Sequence, residues 1–332
     1  MDDRLNKYFA KYADDYVFLE LMPDYIKKEH LDFMRNVPMP VKRSVVTDLA
    51  DDQGIEFKYF TMGMINMLGI DPQFEYASKY VTFLKFINPH IGKVIDDVGV
   101  GLAQAEHLDE ACITFRAALS LDPDDLDALY NYVLVCINMY NKSEDNDYTA
   151  DFKTEVFETL VHMKAAHPDF DRTYYYLGFA YLNAGRYTMA EREWEEFLRL
   201  SGPGDQRKEI EERISSMEDA VRIEKAYHDV IGGKWEKGLQ VLEEYKGTEM
   251  MDWWPLSYYL GVGYSRTGRY KEALQMLKYA VKKNPSSPEI CAELVIVNNA
   301  LGDEVNAEKY RRKLKILNTP VTDGGSDGPE IE

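Results

Sequence analysis

The sequence predicts an all-α fold of stacked helical hairpins, and three observations carry that expectation. The stretch Tyr174 to Phe197 reads as two short helices around a tight turn. Tyr174, Leu177, Gly178 and Tyr181 recur at spacings of three and four, Gly185 breaks the chain, and Ala190, Trp194 and Phe197 recur after it. The stretch Leu260 to Ala273 repeats this at one offset: Gly178, Tyr181, Gly185, Tyr187 and Ala190 return 83 residues on as Gly261, Tyr264, Gly268, Tyr270 and Ala273. Finally, Ala77 and Ala111 are 34 residues apart, as are Pro89 and Pro123. A hairpin of this size cannot bury its apolar faces alone and needs neighbours of its own kind. Small residues are expected where its helices cross, Gly178 against Ala190.

A 34-residue helix–turn–helix unit with L-G-x-x-Y, then Ala, Phe and Pro at fixed places, resembles the tetratricopeptide repeat. The resemblance implies a right-handed α-solenoid of about seven such hairpins over residues 58–317, with a helical N-terminal cap over 1–57. The units fall at about 58–91, 92–125, 126–170, 171–204, 219–252, 254–287 and 288–317.

Within the cap, Tyr8, Tyr12, Tyr16, Leu19 and Met22 predict one amphipathic helix over 3–22. Ile26 to Arg35 and Val41 to Ala50 predict two more, separated by Pro38 and Pro40. Such a cap would cover the first repeat. The first unit is poor, with Ile65 in place of Gly. The second carries Gly99, Leu102, Ala111, Phe115, Ala118 and Pro123. In the third, Pro168 follows Pro123 by 45 residues, and the excess of 11 is assigned to a solvated loop over Asn141 to Ala150. That loop lacks the Gly and terminal Glu of a calcium loop. After the fourth unit, Gly202-Pro203-Gly204 breaks the chain. Ile210, Ile214, Met217 and Val221 then predict one long helix or two over 205–230. The fifth unit is degenerate, keeping Gly233, Trp235, Gly238, Leu242 and Tyr245. The sixth ends in Pro285, and the seventh keeps Gly302 and Ala307 and closes on the basic run Lys309 to Lys315. Residues 318–332 are expected to be an acidic disordered tail.

The 332 residues carry a net charge of −19, which weighs against nonspecific nucleic-acid binding and against an anionic membrane surface. Residues 1–170 hold 16 Lys and Arg against 30 Asp and Glu, a net of −14, and the remainder is at −5. A basic partner surface is therefore more plausible at the N-terminal half. Cys112, Cys136 and Cys291 are far apart and read as buried small residues. The N-terminus shows no basic stretch followed by an apolar run, and no apolar run approaches the roughly 20 residues of a membrane span. A cytoplasmic protein is expected.

The resemblance also implies where a ligand would sit. The family's concave surface is lined by fixed positions of each first helix: Lys93, Asp96, Val100 and Gln104; Asp127, Tyr130, Leu134 and Asn138; Arg172, Tyr175, Phe179 and Asn183; Pro255, Tyr258, Val262 and Arg266. Its centre would present Tyr130, Tyr175, Phe179 and Tyr258, edged by Asn138, Asn183, Arg172 and Arg266. Rings with a polar tip, Arg and side-chain amides suit a peptide groove. The same rings could instead pack against neighbouring units. The family's carboxylate clamp maps onto Asp96, Val100, Asn131, Arg172 and Tyr176. Asn131 and Arg172 fit, but Asp96 would repel a carboxylate and Tyr176 lacks charge.

No Gly-rich phosphate loop, GxSxG or HExxH is present, and no cofactor or metal is expected. Glu224 and His228, four apart on a predicted helix, lack a third ligand. Glu191, Glu193, Glu195 and Glu196 read as a solvated face. The expected function is a non-catalytic module binding a protein or peptide of unknown identity, with Asn131 counted among its partner-facing residues. The alternatives are a self-assembling homo-oligomer using exposed Trp253 and Trp254 and the terminal helices, an adaptor with an atypical carboxylate clamp, or a regulator whose acidic half masks a basic surface.

Overall fold

A computed structural model describes residues 3–47 and 54–318. The N-terminal part contains α1 (Asn6–Phe9), β1 (Tyr16–Leu19), α2 (Pro23–Lys28), β2 (Met39–Lys42) and α3 (Arg43–Thr47). Helices follow in succession: α4 (Phe57–Ile70), α5 (Ala77–Ile87), α6 (Ile91–Gln104), α7 (Leu108–Leu121), α8 (Leu126–Lys142), α9 (Asn146–Ala166), α10 (Asp171–Asn183) and α11 (Tyr187–Leu200). Then come α12 (Asp205–Ser216), α13 (Glu218–Ile231), α14 (Trp235–Glu244), α15 (Trp254–Arg266), α16 (Tyr270–Lys283), α17 (Pro288–Ala300) and α18 (Glu304–Leu317). Residues 319–332, where the acidic tail is expected, lie outside the described residues, as do 48–50 of the third predicted cap helix. The chain forms two compact bodies. One runs to Ala180 and includes Arg199–Ser201; the other comprises Tyr181–Leu198 and the chain from Gly202.

One turn chemistry ends the first helix of hairpin after hairpin. At α10, α13, α15 and α17 a glycine at positive φ (Gly185, Gly233, Gly268, Gly302) is followed by an N–H bonding back five residues: Arg186 to the Tyr181 carbonyl, Lys234 to Asp229, Arg269 to Tyr264 and Asp303 to Asn298. This is the Schellman closure, and a Cβ is disfavoured at its left-handed residue. The α6 hairpin closes in the same way, His107 N–H to the Leu102 carbonyl, but with Glu106 at φ 63°.

In the first body, α6 packs along α7, α8 along α9, and α7 against α8. The motif glycine is needed for close approach: a Cβ on Gly99 would fall 2.6 Å from the Phe115 ring. The first unit departs from the repeat, because α4 rather than α5 lies along α7. That crossing is so tight that a Cβ on Gly69 would sit 1.8 Å from the Ile113 carbonyl oxygen.

The N-terminal part corrects three expectations. In place of one helix over 3–22 there is a four-residue helix, a 3-10 turn over Ala10–Asp15, and β1, which pairs antiparallel with β2 from Tyr16↔Lys42 to Leu19↔Met39. The cap is therefore not wholly helical. The tyrosine periodicity is overridden because β2 packs on α4, burying Met39, Pro40 and Val41. Pro40 fits a two-stranded ribbon, where an outward-facing position needs no donor. The segment Ile26 to Arg35 is likewise not one helix. Pro23 opens α2, His30 takes φ 57° beyond its end, and a 3-10 turn follows at Asp32–Met34. The N-terminal part does cover the first unit, with β2 on α4 and Phe33 against Phe83 and Phe86 of α5. Residues 3–12 reach α7 and α9: Arg4 pairs with Glu158 at 2.9 Å, Tyr8 donates to Asp151 at 2.7 Å, and Tyr12 donates to Asp109.

The 11 extra residues of the third unit form no loop. They lengthen α8 to 17 residues and α9 to 21, leaving only Ser143–Asp145 between them. Asp145 caps α9 by accepting from the Asp147 and Tyr148 amides. Tyr148 stacks on Phe152 at 4.4 Å and meets Tyr8 edge-on at 4.8 Å. The added turn thus has an apolar partner that local composition does not reveal.

In the second body, α13–α14, α15–α16 and α17–α18 are hairpins, and α14 packs on α15 and α16 on α17. Their core includes Val230, Leu242, Leu260, Tyr264, Leu277 and Leu294, all fully buried. A Cβ on Gly261 would come 2.6 Å from the Leu277 side chain. The glycine of α15 thus makes room for a residue one turn past the motif alanine Ala273. Residues 205–231 form two helices, since Met217 leaves helical geometry at φ −106° and ψ 10°.

Candidate partner-binding surface

In the first body, α8 carries Tyr130, Asn131 and Asn138, and α10 carries Arg172, Tyr175 and Phe179. Tyr130 meets Phe170 edge-on at 5.3 Å and Tyr176 at 6.3 Å; Tyr176 meets Tyr175 at 5.2 Å, and Tyr175 meets Phe179 at 4.9 Å. These spacings are those of favourable edge-to-face pairs. The rings form a connected, half-buried row. Burial first, then the neighbouring Tyr130, raises the Tyr176 phenol well above its ordinary pKa, so it stays protonated. Arg172 lies 3.9 Å from Asp171. Asn138 is exposed at a cavity of about 220 Å³ that also touches Val100, Gln104, Asn131 and Leu134.

Asn131 is already committed within the chain. Its amide donates to both carboxylate oxygens of Asp96 at 3.2 Å. Asp96 is buried. The residue expected to repel a ligand carboxylate instead occupies the amide that would have held one.

In the second body Asn183 is exposed at the end of α10. Tyr258 of α15 contacts Tyr227 at 6.0 Å, Tyr259 at 5.9 Å and Trp254 at 6.4 Å. Tyr227 and Tyr259 stack at 4.0 Å, and Trp253 bridges Tyr259 (6.1 Å) to Tyr187 (5.3 Å). Trp253 and Trp254 are thus half-buried in an aromatic cluster rather than exposed. Arg266 forms a two-pronged pair with the buried Glu293 at 2.8 and 3.1 Å. It braces α15 against α17, though part of its side chain still faces solvent.

Periodicity alone did not single out Phe170, Tyr176, Tyr227 or Tyr259 as members of these rows. The signal was a doubled aromatic: Tyr175-Tyr176 and Tyr258-Tyr259 place one ring on the predicted face and one about 100° round the helix. Besides Asp96, the predicted wall residues Pro255 and Val262 are buried. Glu224 accepts from the Thr188 amide at 2.6 Å and ties α13 to the start of α11, so it serves the fold rather than a metal. Glu193, read as solvated, is buried. Among the described residues no cluster of three or more His, Cys, Asp or Glu side chains is arranged to hold a metal, and no helix is long and apolar enough to cross a membrane.

Within each body the repeated signature and the successive helical hairpins resemble those of the tetratricopeptide repeat. Solved structures similar to the chain include the P58(IPK) TPR domain, at 20% identity and a TM-score of 0.41, covering 69% of this chain and 61% of that one. The chain thus spans less than two thirds of that domain's length. PilF of Pseudomonas aeruginosa is 14% identical with a TM-score of 0.31, covering 70% of this chain and 93% of that one. A tetratricopeptide repeat protein from Parabacteroides merdae is 14% identical with a TM-score of 0.35, covering 78% and 95%. No protein-family model and no curated protein matches the chain.

Proposed function

We propose that the chain is a non-catalytic, cytoplasmic protein-interaction module that takes an extended peptide or a partner helix against the aromatic rows of its first helices. The row Tyr130–Tyr176–Tyr175–Phe179 carries this reading: connected rings, half-buried, with a long-protonated phenol among them. Rings fixed by their neighbours present contact area at low entropic cost, and phenol hydroxyls pair with a peptide backbone. Arg172 and the exposed Asn138 and Asn183 supply polar edges. With Asn131 and Arg266 held by Asp96 and Glu293, the ligand is chosen by ring contact more than by a clamped carboxylate.

The test replaces Tyr175 and Phe179 together by Ala and quantifies partners recovered by the full chain from its native lysate. Loss of about tenfold or more in the specific partners, at unchanged helical circular dichroism, is expected for two hot-spot rings. Unchanged partners with an intact fold would refute the assignment. A second reading, self-assembly, is favoured by α18, where Val305 is 81% and Ile316 73% exposed. Light scattering that shows an oligomer dispersed by Val305→Glu would support it; a monomer would exclude it.

A further inference from the structure

Arg116 of α7 is only 4% exposed, and its guanidinium stays charged throughout the pH range of folded proteins. A buried charge calls for an opposite charge and a full set of hydrogen bonds. Asp3 supplies the charge, its Oδ2 2.8 Å from Nη2. The match is incomplete. Asn6 accepts from the same Nη2 at 2.6 Å, and the other oxygen of Asp3 accepts from the Leu5 amide at 2.9 Å. Nη1 is buried without any hydrogen-bond partner. Beside the guanidinium opens a cavity of about 680 Å³, bordered by Asp3, Val81, Leu119, Tyr132 and Glu155, with Tyr132 donating to Glu155 at 3.0 Å.

The residues after Asp3 behave as a bound ligand would. Leu5 is 0% and Phe9 1% exposed. Phe9 lies edge-on to Phe152 at 6.4 Å and 5.0 Å from the Arg116 guanidinium. Around these anchors Tyr8 donates to Asp151 at 2.7 Å and Asn6 to Asp71 at 2.9 Å, and the ion pairs of Arg4 with Glu158 at 2.9 Å and Lys7 with Asp151 at 2.7 Å are of the kind that salt screens and that contribute little.

We propose that the surface of α7 and α9 under residues 3–9 is a second peptide-binding site, filled in cis by the chain's own N-terminal segment. Its ligand is a peptide with a carboxylate side chain followed by apolar residues two and six positions on. Such a ligand can lay both carboxylate oxygens on the two terminal nitrogens of Arg116, the fork geometry that Asp3 forgoes by turning one oxygen to Leu5. Exchange rather than addition is required, because a second carboxylate beside Asp3 and Glu155 would be repelled. The site is separate from the aromatic row of α8 and α10 and does not depend on it.

The test uses the full chain and a fluorescein-labelled peptide of residues 1–12, followed by anisotropy. In Asp3→Asn/Phe9→Ala the chain's own segment is weakened, so the peptide should bind about tenfold or more tighter than to the unaltered chain. A peptide carrying Asp3→Asn should bind about tenfold or more weaker than the native peptide. If the double variant loses helical signal, Asp3→Asn alone is read in the same way. Equal affinities for the two peptides, or no binding to a folded variant, would overturn the proposal.

Discussion

Glu106 holds a left-handed backbone at the turn where four other hairpins place glycine, and its side chain, paired with Lys142 at 2.8 Å, gains little at the surface. Glu106→Gly removes the strain and keeps the Schellman closure, so Tm should rise by about 2 °C in calorimetry. A fall would show that the Lys142 pair outweighs the backbone. Gly69→Ala should do the opposite. With 1.8 Å to the Ile113 carbonyl, α4 must shift off α7, at a cost of about 2–3 kcal/mol measured by urea unfolding. Asp96 adds a pH dependence. Burial raises its pKa; the Asn131 bond opposes this, and Asp125, Asp127 and Asp97 add to it. A carboxyl whose folded pKa lies above its unfolded one takes up a proton on folding, so stability rises as pH falls from neutrality through the raised value. Asp96→Asn should flatten that slope and raise stability at pH 7. A slope unchanged in the variant would assign it elsewhere.

At the scale of the element, the same local rule gives different outcomes according to what packs outside. The hairpins of the second body keep their motif glycines and close alike, whereas the first pair, α4 and α5, does not repeat that packing, since α4 occupies the flank of α7. The joint between α15 and α17 rests on Arg266 and Glu293. Arg266→Met strands a buried carboxylate and should cost about 2 kcal/mol, while Arg266→Met/Glu293→Leu should recover most of it. Equal losses in the single and double variants would mean that packing, not charge, holds the joint. The long α9 shows why composition misplaced the insert. Asn146, Asp147 and Thr149 suit a loop, but the Asp145 cap and the Tyr148–Phe152 stack favour a helix more strongly.

At the scale of the whole molecule, all four tryptophans, Trp194, Trp235, Trp253 and Trp254, lie in the second body. Their fluorescence therefore reports that body alone, while far-ultraviolet circular dichroism reports both. Since stacked repeats unfold in proportion to their local coupling, the two signals should have different urea midpoints. Coincident curves would show a single cooperative unit. The uneven charge belongs to this scale too. The −14 of residues 1–170 should make any partner contact there weaken with salt, unlike a contact resting on the aromatic rows.

What the sequence determined by itself is the hairpin. Apolar spacing of three and four, a glycine where φ must be positive, and a second glycine where helices approach are local requirements, and local residues state them openly, as at Gly185, Gly268 and Gly261. The tyrosine rows were partly legible for the same reason, since spacing sets which face a ring takes. Only the tertiary structure decided what those faces meet: that Asp96 occupies Asn131, that Glu293 occupies Arg266, that Trp253 sits among rings, and that residues 16–19 become a strand because they pair with β2, which packs on α4. The reason is physical. Backbone preference is fixed within a few residues, whereas burial and charge pairing depend on partners such as those 27 and 154 positions away.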